Sequence, residues 1–303
     1  MVLPSSRPEP AEGQTGDRGA GAVVGDVVGG ERASALAIAF AAFLFGTSFV
    51  VVKHGLADVK PIPFLAIRFT VAAAVFAPLA WLRRSRRAVG EWRLGLTTGL
   101  VYFTSLVGQT MGLDRTTPST AAFLTYLLVV AVPAIEFVRN RRLPTRRVVL
   151  AIVVAMVGLV LLTGAGVGFG TGELLCLAGA VGFAYHLIQV GEGATRLDPF
   201  RFNFAHCVGA AVPALLLAPF TGGLPTAARG WGVGLYTGVV VTVGTLVPWA
   251  WAQKRISATR AALIFLLEPV FAAFTSALDG ERMRTGTLVG AALILVGAVL
   301  AET

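Results

Sequence analysis

Apolar residues in this chain come in long blocks with short polar breaks. Ten blocks, at roughly 35–53, 62–82, 94–113, 119–138, 147–164, 172–190, 201–220, 232–252, 258–277 and 286–302, approach the ~20 residues an α-helix needs to cross a bilayer core. The linkers between them carry turn and charge signals: "DVKPIP", "RRSRRAVGEWR", "RNRRLPTRR", "GAGVGFGTG" and "LDGERMR". This pattern predicts an all-α integral membrane protein with ten transmembrane helices. Residues 1–34 are rich in Gly, Pro, Glu and Asp and lack a sustained apolar period, so they are expected to form a disordered cytoplasmic tail. No cleavable signal peptide is expected ahead of the first block.

Composition agrees with the pattern. Apolar residues make up 55% of the chain and charged residues 14%, against about 25% charged in a soluble domain, and the mean hydropathy is +0.77. Cys176 and Cys207 both fall inside apolar blocks, so no disulfide framework is expected. The net charge of +9 is explained by where the basic residues lie. With the N-terminus inside, Arg83, Arg84, Arg86, Arg87, Arg93, Arg139, Arg141, Arg142, Arg146, Arg147, Arg196, Arg201, Lys254, Arg255 and Arg260 all fall on the cytoplasmic side. The outer side keeps Lys53, Lys60, Arg115, Arg229, Arg282 and Arg284. Both termini are therefore assigned to the cytoplasm of a multi-pass cell-membrane protein. The basic balance needs no nucleic-acid partner.

The chain also repeats itself. Trp92 and Trp231, Gly95 and Gly234, Thr98 and Thr237, and Gly99 and Gly238 are each 139 positions apart. "TPSTAAFL" lines up with "SATRAALI", "AMVGLVLL" with "LILVGAVL", "FGTSFVVV" with "VGFAYHLI" and "PFLAIRF" with "PFRFNFA". The two repeats, 35–164 and 172–302, contain five blocks each. An odd number makes the second enter the membrane from the opposite face. Inverted repeats are typical of secondary transporters, with the solute site near the midplane between the halves.

Chemistry inside the blocks is sparse. In "LIFLLEPVFAAF" a glutamate and a proline, Glu268 and Pro269, interrupt an apolar run. A carboxylate at the centre of a spanning helix costs about 2.5–3.5 kcal/mol on insertion scales, and proline frees the carbonyl of Phe265. Glu268 either exchanges a proton or a cationic solute group, caps the loosened backbone, or pairs with Arg68. Arg68 in turn either binds a solute carboxylate, snorkels to the outer face or pairs with Glu268. His186 and Gln189 share a helix face, as do Asn203 and His206, and these groups serve as proton carriers or as interhelical hydrogen bonds. Tyr102, Gln109, Tyr126 and Trp249 add aromatic and polar groups, whereas Trp81 and Trp251 read as interfacial anchors. "GLTTG" and "GLYTG" read as small-residue packing signals. Pro269, Pro248 and Pro133 are candidate helix-bending positions. No metal-ligand spacing and no cofactor motif is present. Nor is there an acidic pair, Walker loop or Ser–His–Asp set of the kind an integral-membrane enzyme would need.

"FLFGTSFVVVK", "AIRF", "TAAFLTYLLVVAVP" and "SATRAALIFLLEPVFAAF" resemble the drug/metabolite transporter superfamily, most closely its ten-helix EamA branch with two EamA domains. The resemblance covers about 35–302. It implies two inverted five-helix repeats around a central cavity, and secondary, non-ATP-driven transport of a small molecule, with export common among such proteins. It leaves solute and coupling ion open, a proton being the candidate. One departure is visible: the first repeat has Leu128–Val129 where the second has Glu268–Pro269, and its proline, Pro133, lies one turn later.

Overall fold

The computed structural model describes residues 17–55, 59–82, 90–113, 115–116, 118–141, 143–164, 170–225, 227–278, 280 and 284–302. Arg83, Arg84, Arg86, Arg87, Arg142, Arg282 and the first 16 residues of the tail lie outside them. Every regular element among the described residues is helical.

The first half comprises α1 (Asp17–Gly55), α2 (Pro61–Leu82), α3 (Glu91–Leu113), α4 (Pro118–Tyr126), α5 (Leu128–Asn140) and α6 (Arg146–Thr163). The second comprises α7 (Thr171–Arg196), α8 (Pro199–Leu217), α9 (Ala228–Tyr236), α10 (Gly244–Ala252), α11 (Ala258–Phe265), α12 (Leu267–Leu278) and α13 (Thr285–Glu302). A short 3₁₀ turn, Ala218–Thr221, follows α8, and a π-helix, Thr237–Val243, joins α9 to α10. α1 thus starts well ahead of the first apolar block.

Eight spans among the described residues are long and apolar enough to cross a membrane, with α4–α5, α9–α10 and α11–α12 each acting as one. The chain is a multi-pass membrane protein. α3 and α13 are not among the eight. α3 is 23 residues long but carries Thr97, Thr98, Thr104, Ser105, Gln109 and Thr110, and the apolar stretch of α13, Thr285–Ala301, is short.

Local chemistry sets the helix ends. Asp198 accepts from the backbone N–H groups of Phe200 and Arg201, both at 3.1 Å, with Pro199 in the first turn of α8. The linker between α5 and α6 closes one helix with Arg141 in the left-handed region (φ 54°) and opens the next with Thr145 as N-cap. At one end of the bundle the helices are tied by Arg260–Glu31 (3.1 Å), Thr259–Glu136 (2.6 Å) and Arg139–Glu192 (2.5 Å).

α6 lies along α13, α3 along α7 and α8, α2 along α8 and the π-helix, and α1 along α10 and α12. Between α3 and α8 the backbones nearly touch. A Cβ on Gly99 would sit 1.9 Å from the carbonyl oxygen of His206, and one on Gly209 2.2 Å from that of Leu96. "GLTTG" is therefore a crossing point, where small residues let backbones approach. Trp81 is 88% exposed and Trp251 39%, the latter under the Arg255 guanidinium at 4.5 Å, as suits residues at helix ends.

Candidate functional site

Glu268 and Pro269 mark a helix start inside the span. α11 ends at Phe265, Leu266 turns with a short bond from its N–H to the Leu263 carbonyl (3.3 Å), and α12 begins at Leu267. In a first turn the backbone N–H groups have no helical partner, so a proline costs no hydrogen bond there. Glu268 places its carboxylate in that same turn, where the helix dipole favours negative charge. The first half breaks too, at Leu127, between α4 and α5. No proline causes that break, because Pro133 lies inside α5.

Around this break the structure gathers polar groups from both halves. Tyr126, buried at the end of α4, is a neighbour of Glu268. Arg68 on α2 is 7% exposed and donates through Nε to the Thr242 hydroxyl at 2.8 Å. Its guanidinium lies 5.6 Å from the Phe69 ring, which packs edge-on against Tyr102. Arg68 and Glu268 feel each other's charge but form no direct ion pair; Arg68 is held instead by Thr242.

Tyr102 on α3 stacks flat on His186 of α7, with centroids 4.4 Å apart and planes at 17°. His186 and His206 of α8 face each other through Nε2 atoms 3.2 Å apart, so one imidazole donates and the other accepts. Both are fully enclosed, at 1% and 0% exposure. Trp249 of α10 packs edge-on against His186 and against Phe265, at 5.4 and 4.7 Å. Each such aromatic pair adds about 0.5–1.5 kcal/mol beyond its buried area.

Of the residues singled out from the sequence, Arg68, Tyr102, Tyr126, His186, His206, Trp249 and Glu268 thus come together. The others do not join them directly. Gln109 donates to Thr125 at 3.1 Å, tying α3 to α4. Asn203 donates to the Leu246 carbonyl at 3.2 Å, tying α8 to α10. The side-chain oxygen of Gln189 is buried without a hydrogen-bond partner among the described residues. Pro248 is half-buried in α10. Two contributors were not singled out: Thr242, and Gln253, which accepts from Trp249 Nε1 at 2.6 Å and donates to the Leu187 carbonyl at 3.3 Å. A hydroxyl or amide among many carries no sequence signal until its partner is known.

Two glycines seat the cluster. A Cβ on Gly46 of α1 would lie 2.6 Å from the Glu268 carbonyl oxygen, and one on Gly238 2.8 Å from that of Arg68. A cavity of about 170 Å³ opens between the start of α2 and the end of α3, lined by Lys60, Leu65, Val107 and Thr110 among others. Leu65 stands one turn from Arg68; in the polar cluster itself Arg68, Tyr102, Tyr126, His186 and His206 are buried, while Glu268 is half-buried. Among the described residues no three His, Cys, Asp or Glu side chains are grouped to hold a metal ion.

The profile of the EamA-like transporter family matches residues 32–164 and again 170–303, nearly the whole chain in two copies. The chain belongs to the EamA-like transporter family. Relatives of this transporter include a protein of Archaeoglobus fulgidus described as an uncharacterized transporter, 28% identical over 277 residues, covering 88% of this chain and 84% of that one. The uncharacterized transporter YoaV of Bacillus subtilis is 23% identical over 279 residues, covering 86% and 94%. A protein of known crystal structure superimposes with a TM-score of 0.73 over 88% of this chain and 97% of its own, at 22% identity, so the fold is shared.

Proposed function

We propose that this EamA-family protein is a secondary-active exporter of a small organic solute, working by alternating access in the cell membrane. In this reading ten helices form two inverted five-helix repeats, α3 and α13 completing the set, and both termini face the cytoplasm. Support comes from the pairing of elements: the most extensive contacts made by helices of one half have counterparts made by their equivalents in the other. Thus α1 meets α10 and α12 as α7 meets α3 and the α4–α5 pair, and α6 meets α13. Two halves of opposite polarity can exchange roles, giving inward-open and outward-open states of similar energy.

The observation that carries the reading is the polar cluster between the halves, buried Arg68, Tyr102 and Tyr126 from one half with buried His186 and His206 and half-buried Glu268 from the other. Charged groups inside a membrane are costly and mark solute or ion pathways. Glu268 is the group assigned to exchange a proton or a cationic solute group. The protein is not an enzyme on this reading, so solute should cross chemically unchanged.

Supernatants of cells expressing the protein or an empty vector, compared by mass spectrometry, are expected to differ in at least one small metabolite, with the difference removed by a protonophore. Identical profiles together with a failure of everted vesicles to accumulate any solute would sink the exporter. Orientation is tested separately. Cys176 and Cys207 are buried, so introduced cysteines report cleanly. Phe220→Cys, 86% exposed, is expected to react with an impermeant maleimide on intact cells; Leu143→Cys, 76% exposed, only after permeabilisation. The reverse pattern would invert the topology.

A further inference from the structure

Thr237–Val243 forms a π-helix, a turn one residue wider than the α-helix on either side. Its place follows from Pro248, which has no N–H to give and whose ring crowds the carbonyl of Gly244, just past the wide turn. Within the turn the Thr242 hydroxyl donates to the Thr237 carbonyl, five residues back, at 2.9 Å. A helical threonine ordinarily reaches three or four residues back, as Thr237 does to Gly234 and Val233. With its proton committed to Thr237, the Thr242 oxygen has lone pairs to offer, and it accepts Arg68 Nε at 2.8 Å. Gly238, in the same turn, lets the wide segment sit against the backbone of Arg68. The turn therefore grips Arg68 at its main chain and at Nε.

This grip sets the plane of the guanidinium. Arginine carries five N–H donors and no acceptor. Nε is taken by Thr242, and Nη2 is buried with no hydrogen-bond partner among the described residues. Glu268 does not reach it as an ion pair. A buried, oriented cationic donor without an acceptor is a complement to an oxyanion, which guanidinium binds better than any other side chain does.

We propose that Thr242 is a positioning residue that aims Arg68 Nη2 at an anionic group, a carboxylate or similar oxyanion, on the solute. This rests on the transporter reading above and names the class of its cargo. Benzoate and benzamide, alike in shape and different in charge, are suitable probes of the purified full-length protein in detergent, with melting temperature followed against probe concentration. Benzoate is expected to stabilise the wild type saturably, and benzamide to bind about 10-fold more weakly or worse. Thr242→Ser should keep that discrimination. Thr242→Val should lower benzoate affinity about 10-fold and leave benzamide unchanged, since an isosteric side chain without the hydroxyl frees the guanidinium to rotate. Thr242→Ala carries the same test should the valine variant not purify, and Arg68→Gln should erase the difference between probes. No saturable response of the wild type to benzoate, or full discrimination retained without the Thr242 hydroxyl, would overturn the proposal. Binding in detergent needs no translocation, so a protein that discriminates the probes yet moves no solute in vesicles would refute the transport reading alone.

Discussion

Glu268→Gln is expected to lower solute transport about 100-fold while leaving the amount of protein in the membrane unchanged. The substitution keeps the volume of the side chain. The helix start at Leu267 and the close approach of Gly46 to the Glu268 carbonyl involve backbone alone, so both survive. What disappears is the charge and the ability to take up and release a proton. A carboxylate at this depth carries a standing cost of about 2.5–3.5 kcal/mol, which a purely structural residue would not need to bear. A transport step in which it must take up and release a proton or hold a cationic group is lost with the charge, and a drop of about two orders of magnitude corresponds to about 3 kcal/mol of barrier. Glu268→Asp retains the charge and should keep part of the transport. Transport by Glu268→Gln equal to wild type at every pH tested would leave Glu268 as the residue that starts α12 and nothing more.

Gly99→Val is expected to prevent the accumulation of folded protein, and Gly99→Ala to lower stability by about 3 kcal/mol, near the top of the usual range for overpacking. At this crossing a Cβ would stand 1.9 Å from the carbonyl oxygen of His206 and 2.8 Å from the backbone nitrogen of Ala210. Neither neighbour is the end of a flexible side chain; both belong to the α8 main chain. The helices must then separate, and with them the Tyr102–His186–His206 contacts that join α3, α7 and α8. Gly232→Ala is the control, because nothing lies within 4 Å of a Cβ there and alanine is the better helix former by about 1 kcal/mol. Melting temperature and gel-filtration profile of the purified variants decide the matter. A Gly99→Ala protein as stable as Gly232→Ala would mean that α3 and α8 can move apart at this crossing at little cost.

The helix break in the second half was partly legible: Glu268–Pro269 announces an interruption, though a bend and a fresh helix start look alike in a sequence. The break at Leu127 was not. It has no proline and no polar residue of its own, and it becomes visible only once α4 and α5 are packed against α7. His186 and His206 were each noticed beside a neighbour three residues away on the same helix. Their actual partners are each other, across an α7–α8 contact that no local spacing encodes. Thr242 was missed because a threonine in an apolar helix is ordinary until an arginine from another helix arrives at its oxygen.

The linear order of apolar blocks by itself determined a multi-pass helical protein, and four short motifs, by resemblance, pointed to the EamA family. Bilayer insertion depends on local length and apolarity, and those are properties of a segment alone. The tertiary structure decided which polar groups meet. Side chains on different helices acquire partners only when crossing points such as Gly99 and Gly238 set the distance between backbones. Inside a membrane that distance also settles whether a buried charge finds a hydrogen bond or, like Nη2 of Arg68, is left without an acceptor among the described residues.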